Sequence, residues 1–134
     1  MNTVIFACVH NAGRSQMAAA FFNQLADPSK ASALSAGTRP ADHVHPEVVD
    51  AMRDVGIDLA GARPQLLDVE LARHARLLVT MGCGEECPAV PLLETVDWPI
   101  DDPKEQPPGR VRAIRDDLRA RVERLVRERG WGRA

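Results

Sequence analysis

The clearest indication of the fold comes from the segment Thr3-Val-Ile-Phe-Ala-Cys8, which is followed directly by Val9-His-Asn-Ala-Gly-Arg-Ser15. Its first six residues form a short apolar, partly β-branched run, which is typical of a strand buried on both faces of a sheet. The pattern then breaks, and helical periodicity follows from Ser15 to Ala26. A strand, a short loop and a helix in this order predict the first unit of a parallel α/β sheet.

The remainder of the chain repeats this alternation. We predict further strands at Ala33–Ala36, Leu77–Met81 and Glu94–Ile100, and helices at Pro46–Val55, Asp68–His74 and Arg110–Arg129. The order β-α-β-α-α-β-β-α predicts a single α/β domain over residues 1–134, a four-stranded parallel sheet with helices on both faces. Ligands of such sheets bind beyond the carboxyl ends of the strands, so the loops after Cys8, Gly37, Met81 and Ile100 are the candidate site.

Composition excludes several classes of protein. The net charge of −2 favours neither nucleic acid nor an anionic membrane as a partner. No apolar run is long enough to span a bilayer, and the first residues lack the basic start of a signal peptide. An odd count of 3 cysteines in 134 residues argues against a secreted disulfide scaffold. We therefore expect a cytoplasmic protein whose thiols stay reduced.

The loop after the first strand has the features of an oxyanion site. Backbone N–H groups of residues 9–15 and the start of the following helix can form a cradle for a tetrahedral anion. The predicted binding residues are Val9, His10, Asn11, Ala12, Gly13, Arg14 and Ser15. Arg14 can bind two anion oxygens, and Cys8 lies at the base of the cradle, where positive potential favours the thiolate. Ser15 is expected to donate to that sulfur or to cap the helix.

Asp102 is the candidate general acid. It lies in Asp101-Asp102-Pro103, directly after the fourth predicted strand, and so should reach the same edge of the sheet as Cys8. A thiolate that attacks a tetrahedral oxyanion needs a proton for the leaving oxygen, and a carboxylic acid above the cradle can supply it. Pro103 is expected to fix this turn.

Taken together, these motifs resemble the low-molecular-weight protein tyrosine phosphatase superfamily, and within it the arsenate reductases coupled to thioredoxin or mycothiol. The similar segments are Cys8–Met17, Ser35–Gly37, Val79–Cys83 and Trp98–Pro103. The resemblance implies reduction of arsenate to arsenite, with Cys8 as nucleophile, Arg14 as anion clamp and Asp102 as acid. Phosphate and sulfate would compete with arsenate as anions.

A second thiol must release the product, and two routes stay open. In one, Cys83 attacks the Cys8 adduct and Cys87 resolves the resulting disulfide, giving a Cys83–Cys87 pair for a thioredoxin-like donor. In the other, mycothiol attacks the adduct itself, with mycoredoxin as partner, and the later cysteines are bystanders. We expect no bound cofactor and no metal site, because Cys-x3-Cys without a second pair is a weak zinc signal.

Two departures count against a tyrosine phosphatase. Gly13 stands where phosphatase members of the superfamily carry a second cysteine, and Lys104-Glu105 follows Asp-Pro in place of tyrosines that stack on an aromatic substrate. The chain has no tyrosine at all. The alternatives that remain are a phosphatase that acts on other phosphoesters and a non-catalytic oxyanion-binding or redox-sensing module. We interpret His43, His45 and His74 as surface or turn residues.

Overall fold

The computed structural model describes residues 2–82, 90 and 92–133. Cys83 and Cys87, the two predicted relay cysteines, lie outside the described residues. The described elements follow the predicted order: β1 Asn2–Cys8, α1 Arg14–Leu25, β2 Ala31–Gly37, α2 Pro46–Arg53, α3 Val69–Arg73, β3 Leu77–Thr80, β4 Glu94–Asp97 and α4 Pro108–Arg129. No helix in the described ranges has the length and apolar character needed to cross a membrane.

All four strands are parallel and pair in the order β2-β1-β3-β4. The two strands beside β1 fix its register, since Cys8 pairs with Gly37 and Ala7 with Thr80. Val4–Ala7 are 0% exposed, as expected for an apolar strand at the centre of a parallel sheet. The carboxyl ends of the three strands therefore meet at one edge, where Cys8 lies.

Helices cover both faces of the sheet, so the predicted fold class is confirmed. The face that carries Phe6 packs against α1, α2 and α4, and the face that carries Ile5 and Ala7 packs against Ala72 of α3. On the larger face, ring centroids lie 5.9 Å apart for Phe6–Phe22 and for Phe22–Trp131. Truncating a ring buried at such a position to alanine costs about 3–5 kcal/mol.

The element ends differ from prediction by a few residues. The predicted fourth strand ran to Ile100, but β4 ends at Asp97: Trp98 N–H still donates to Thr80 O at 2.8 Å, and Pro99 then has no N–H to continue the ladder. The predicted last helix began at Arg110, whereas α4 begins at Pro108, because proline is well tolerated in the first helical turn. Neither difference moves the candidate site.

Candidate active site

Cys8 ends β1 at the base of a loop, residues 9–13, that leads into α1. Its side chain is buried, as are Asn11–Ser15, while Val9 and His10 are partly exposed. The first N–H groups of a helix have no partner within the helix, and the helix dipole adds positive potential there. The start of α1 thus has the free N–H groups and the positive potential that the predicted oxyanion site requires.

The carbonyl groups of this loop are held on its outer side. Four of them accept backbone hydrogen bonds of 2.8–3.3 Å from the segment 38–45: Cys8 O from Thr38, Val9 O from Arg39, His10 O from Ala41 and Ala12 O from His45. In a planar trans peptide the next N–H points opposite to the carbonyl, so the N–H groups of residues 9, 10, 11 and 13 point away from the segment 38–45. Within the described part of the chain, the N–H groups of residues 11–15 donate to no backbone carbonyl. They are therefore available as donors to a ligand.

Ser15 connects the sulfur to Asn11. Ser15 Oγ lies 2.9 Å from Cys8 Sγ and accepts a 2.7 Å hydrogen bond from Asn11 Nδ2. Asn11 Oδ1 in turn accepts from the backbone N–H of Gln65 at 2.9 Å, which fixes the orientation of the Asn11 amide. Ser15 Oγ accepts from Asn11 and still carries its own hydroxyl proton, which it can donate to the Cys8 sulfur. Of the two roles predicted for Ser15, the contact with sulfur is the one observed, because the cap of α1 is Gly13 and no side chain caps it.

Arg14 as a whole residue is 8% exposed. Its guanidinium is held from two sides. Nη1 donates to Ile100 O at 3.1 Å, and Nη2 lies 3.8 Å from Asp102 Oδ2. Gly82, with a φ of +86°, approaches it so closely that a β-carbon there would lie 2.5 Å from Nη1. These contacts fix the planar fork at the carboxyl edge of the sheet, where it can bind two oxygens of an anion.

The Asp102 carboxylate lies beside the loop, as predicted. Its side chain is 44% exposed, and Oδ1 accepts the Lys104 N–H at 3.0 Å. Pro103 packs on Gly13, where a β-carbon would lie 2.9 Å from Pro103 Cγ. The carboxyl group is therefore held near Arg14 while it remains open to solvent, which suits a group that exchanges protons.

Four residues of the site were not singled out as such from the sequence. Gln16 and Gln65 contact Asn11, Ile100 supplies a carbonyl to Arg14, and Gly82 makes room for its guanidinium. Gln16 follows Ser15 directly, so its place in the motif could have marked it. The other three are brought to the loop by chain segments far away in sequence.

His45 is partly exposed, in keeping with the predicted surface or turn position, and contacts the loop that follows Cys8. It precedes α2, and its N–H donates to Ala12 O at 2.9 Å. Burial lowers the pKa of His45 from its ordinary value of 6.5, against the opposing effects of the Glu47 and Asp102 carboxylates. His10 lies with Nδ1 3.2 Å from Arg39 O, which orients its ring.

A family model described as low molecular weight phosphotyrosine protein phosphatase matches residues 3–129. The chain belongs to this family. Among the curated relatives of this phosphatase-family chain, one from Halobacterium salinarum is 39% identical over 127 residues, 92% of this chain and 89% of its own length. One from Bacillus cereus, named arsenate reductase, is 34% identical over 127 residues and 92% of each chain. The predicted resemblance to arsenate reductases of this family is confirmed.

Solved structures of the family agree with this. A thioredoxin-dependent arsenate reductase from Corynebacterium glutamicum superposes with a TM-score of 0.82 at 32% identity, over 96% of this chain; our chain spans 61% of that longer one. An arginine phosphatase from Geobacillus stearothermophilus gives a TM-score of 0.84 at 26% identity, over 97% of this chain and 94% of that one. The same fold thus occurs in an arsenate reductase and in an arginine phosphatase.

Proposed function

We propose that this protein reduces arsenate to arsenite, with Cys8 as the nucleophile. The observation that carries the proposal is the Cys8 sulfur with the Ser15 hydroxyl at 2.9 Å, at the base of a loop whose carbonyls are held away from it. A thiolate in this position lies below a bound tetrahedral oxyanion and can attack its central atom. The arsenate reductases among its relatives support arsenic as that atom.

The first step joins sulfur to arsenic. The Cys8 thiolate forms an As–S bond, one As–O bond breaks, and the leaving oxygen takes the proton of Asp102 and departs as water. The N–H groups of the loop and the Arg14 guanidinium stabilise the charge on the remaining oxygens. The half-exposed position of Asp102, 3.8 Å from Arg14, supports its role as that acid.

The second step reduces arsenic. A second thiolate attacks the Cys8 sulfur, an S–S bond forms, and the electron pair of the S–As bond stays on arsenic, which leaves as arsenite. We propose Cys83 as that thiol and Cys87 as the residue that resolves the Cys8–Cys83 disulfide for a thioredoxin-like donor. Gly82 lies against Arg14, and Cys83 is the next residue in the chain. This supports Cys83, rather than Cys87, as the thiol that attacks first. The thioredoxin dependence of the Corynebacterium relative supports the donor.

Mycothiol is the alternative second thiol. It would attack the Cys8 adduct directly, and mycoredoxin would then release Cys8. Single replacements Cys83→Ser and Cys87→Ser, assayed with each reductant system, separate the two routes. The relay predicts that both variants lose turnover with thioredoxin, whereas full mycothiol-supported turnover in both would eliminate it. Either route needs a compartment that keeps thiols reduced, which supports a cytoplasmic location.

The decisive experiment compares arsenate reduction with phosphoester hydrolysis. Purified protein is given arsenate with either reductant system, and arsenite release is compared with hydrolysis of p-nitrophenyl phosphate. We expect arsenite release that Cys8→Ser abolishes and no more than slow hydrolysis. Robust hydrolysis without arsenate turnover would instead support a phosphatase, for which the likeness to the arginine phosphatase is the favouring observation.

A further inference from the structure

Gln16 is a buried residue in the first turn of α1, and its side chain reaches back to the anion loop. It is 6% exposed. Its Nε2 lies 3.0 Å from Asn11 O, 3.3 Å from Asn11 Oδ1 and 3.3 Å from Arg63 O. An amide nitrogen carries two hydrogens, so the three oxygens compete for them, and the shortest contact is to the Asn11 carbonyl.

Among the carbonyls of residues Cys8–Ala12, that of Asn11 is the one that accepts no backbone hydrogen bond from the described residues. The other carbonyls of the run accept N–H groups from the segment 38–45. Asn11 has a φ of +50°, in the left-handed region, so its carbonyl turns out of line with those of its neighbours. The Gln16 side chain supplies the hydrogen bond that the backbone does not.

The direction of the Asn11 carbonyl determines the direction of one N–H group of the cradle. The Asn11–Ala12 peptide is planar, so the Ala12 N–H points opposite to the carbonyl that Gln16 holds. We propose that Gln16 is a positioning residue, which holds this peptide so that the Ala12 N–H faces the bound oxyanion. The proposal rests on the oxyanion site of the proposed function but not on the fate of arsenic there.

The Asn11 side chain, which links the loop to Ser15 and the sulfur, has a shorter support than the 3.3 Å contact of its Oδ1 with Gln16 Nε2. Gln65 N–H holds Asn11 Oδ1 at 2.9 Å, and Asn11 Nδ2 holds Ser15 Oγ at 2.7 Å. Loss of the Gln16 amide therefore leaves the Ser15 contact with Cys8 in place. A positioning role for Gln16 thus predicts weaker anion binding with little change in the reactivity of the free thiol.

The test is Gln16→Met, which keeps the length and burial of the side chain and removes its hydrogen-bond donor. Both variant and parent carry Cys83→Ser and Cys87→Ser, so that Cys8 is the cysteine that iodoacetamide alkylates. Protection by inorganic phosphate gives the anion affinity, and the rate without phosphate reports on the thiolate. We expect phosphate to bind about tenfold more weakly, the effect of one hydrogen bond to a charged group, and the unprotected rate to stay close to the parent's.

Gln24→Met is the matched control, because Gln24 lies on the same helix with its side chain exposed. It should leave both readouts unchanged. If Gln16→Met does not fold, Gln16→Asn supplies the same readouts, since its amide is one methylene too short to reach Asn11 O. Phosphate binding equal to the parent's would overturn the proposal. A parallel fall of the phosphate affinity, the alkylation rate without phosphate and the thermal stability would also overturn it, because it would indicate a merely structural role. Phosphate protection needs no turnover, so a failure to reduce arsenate would not affect this measurement.

Discussion

Pro103 packs directly on Gly13, where a β-carbon would lie 2.9 Å from its Cγ. The proline ring has no flexible end that could move aside, so any side chain at position 13 would push the turn away from the loop. This contact holds the turn that carries Asp102 beside the loop that carries Cys8. It also gives a physical reason for glycine at a place where, in the resemblance described above, phosphatase members carry a cysteine.

Gly13→Ala should therefore impair activity by moving Asp102. A displacement of a reacting group by about 1 Å can lower turnover about 100-fold. We expect a loss of this order in arsenite release, with a smaller change in phosphate affinity. Gly109→Ala is the control, since the nearest atom to a β-carbon there is Arg112 Nη2 at 3.9 Å. Unchanged turnover in Gly13→Ala would mean that the Pro103 contact does not position the acid.

Ser15→Ala removes the hydroxyl that lies 2.9 Å from the Cys8 sulfur. A hydrogen bond to a charged group contributes about 1.5–3 kcal/mol, so the sulfur should react more slowly without it. We expect alkylation of Cys8 by iodoacetamide to slow about tenfold or more. Ser29→Ala, at an exposed serine bonded to Asp27, is the control. Equal alkylation rates in Ser15→Ala and the parent would remove Ser15 from the activation of the thiol.

Asp102→Asn separates chemistry from binding. Loss of a general acid lowers turnover about 10²–10⁴-fold, whereas the N–H groups and Arg14 should still bind phosphate. Asp101→Asn is the neighbouring control, since Asp101 pairs with Arg110 on α4. A non-catalytic oxyanion sensor would show no turnover in the parent and the same anion response in the variant. Full arsenate turnover by Asp102→Asn would exclude Asp102 as the acid.

Gly82→Ala tests the room that Arg14 needs. The new β-carbon would meet Arg14 Nη1 at 2.5 Å, and the φ of +86° is strained for any L side chain. We expect a higher KM for arsenate and a lower thermal midpoint. Gly61→Ala, where a β-carbon meets nothing within 4 Å, should change neither. A normal KM in Gly82→Ala would show that the guanidinium tolerates displacement.

His45 should make stability depend on pH. Burial lowers its pKa in the folded state below the ordinary 6.5, so over the interval between the two values the unfolded chain binds more protons. The contribution of His45 to the free energy of unfolding is then largest above pH 6.5 and falls as the pH drops through that interval. We expect His45→Gln to flatten this part of a urea-unfolding pH profile, and His74→Gln, at an exposed histidine, to leave it unchanged. An unaltered profile in His45→Gln would contradict this assignment.

The element order and the core were predictable because they follow from local patterns. The apolar run before Cys8 has no polar side chain to place at a surface, so it had to be a central strand. The rings of both tryptophans pack on the core: ring centroids lie 5.8 Å apart for Trp98–Phe6 and 5.9 Å apart for Trp131–Phe22. The ends of elements were less predictable, because they depend on which partner strand or cap is at hand.

The candidate anion loop could be located from the sequence, since Cys8, Gly13, Arg14 and Ser15 lie within one stretch of 8 residues whose strand–turn–helix context is local. The contacts that hold this loop depend on the tertiary structure. Ile100 O, 86 positions from Arg14, accepts a hydrogen bond from Arg14 Nη1. The N–H of Gln65, 54 positions from Asn11, donates to Asn11 Oδ1 and so fixes the amide that donates to Ser15. A hydrogen bond between such distant residues depends on the packing of whole elements, and no periodicity or spacing in one chain records where those elements come to lie.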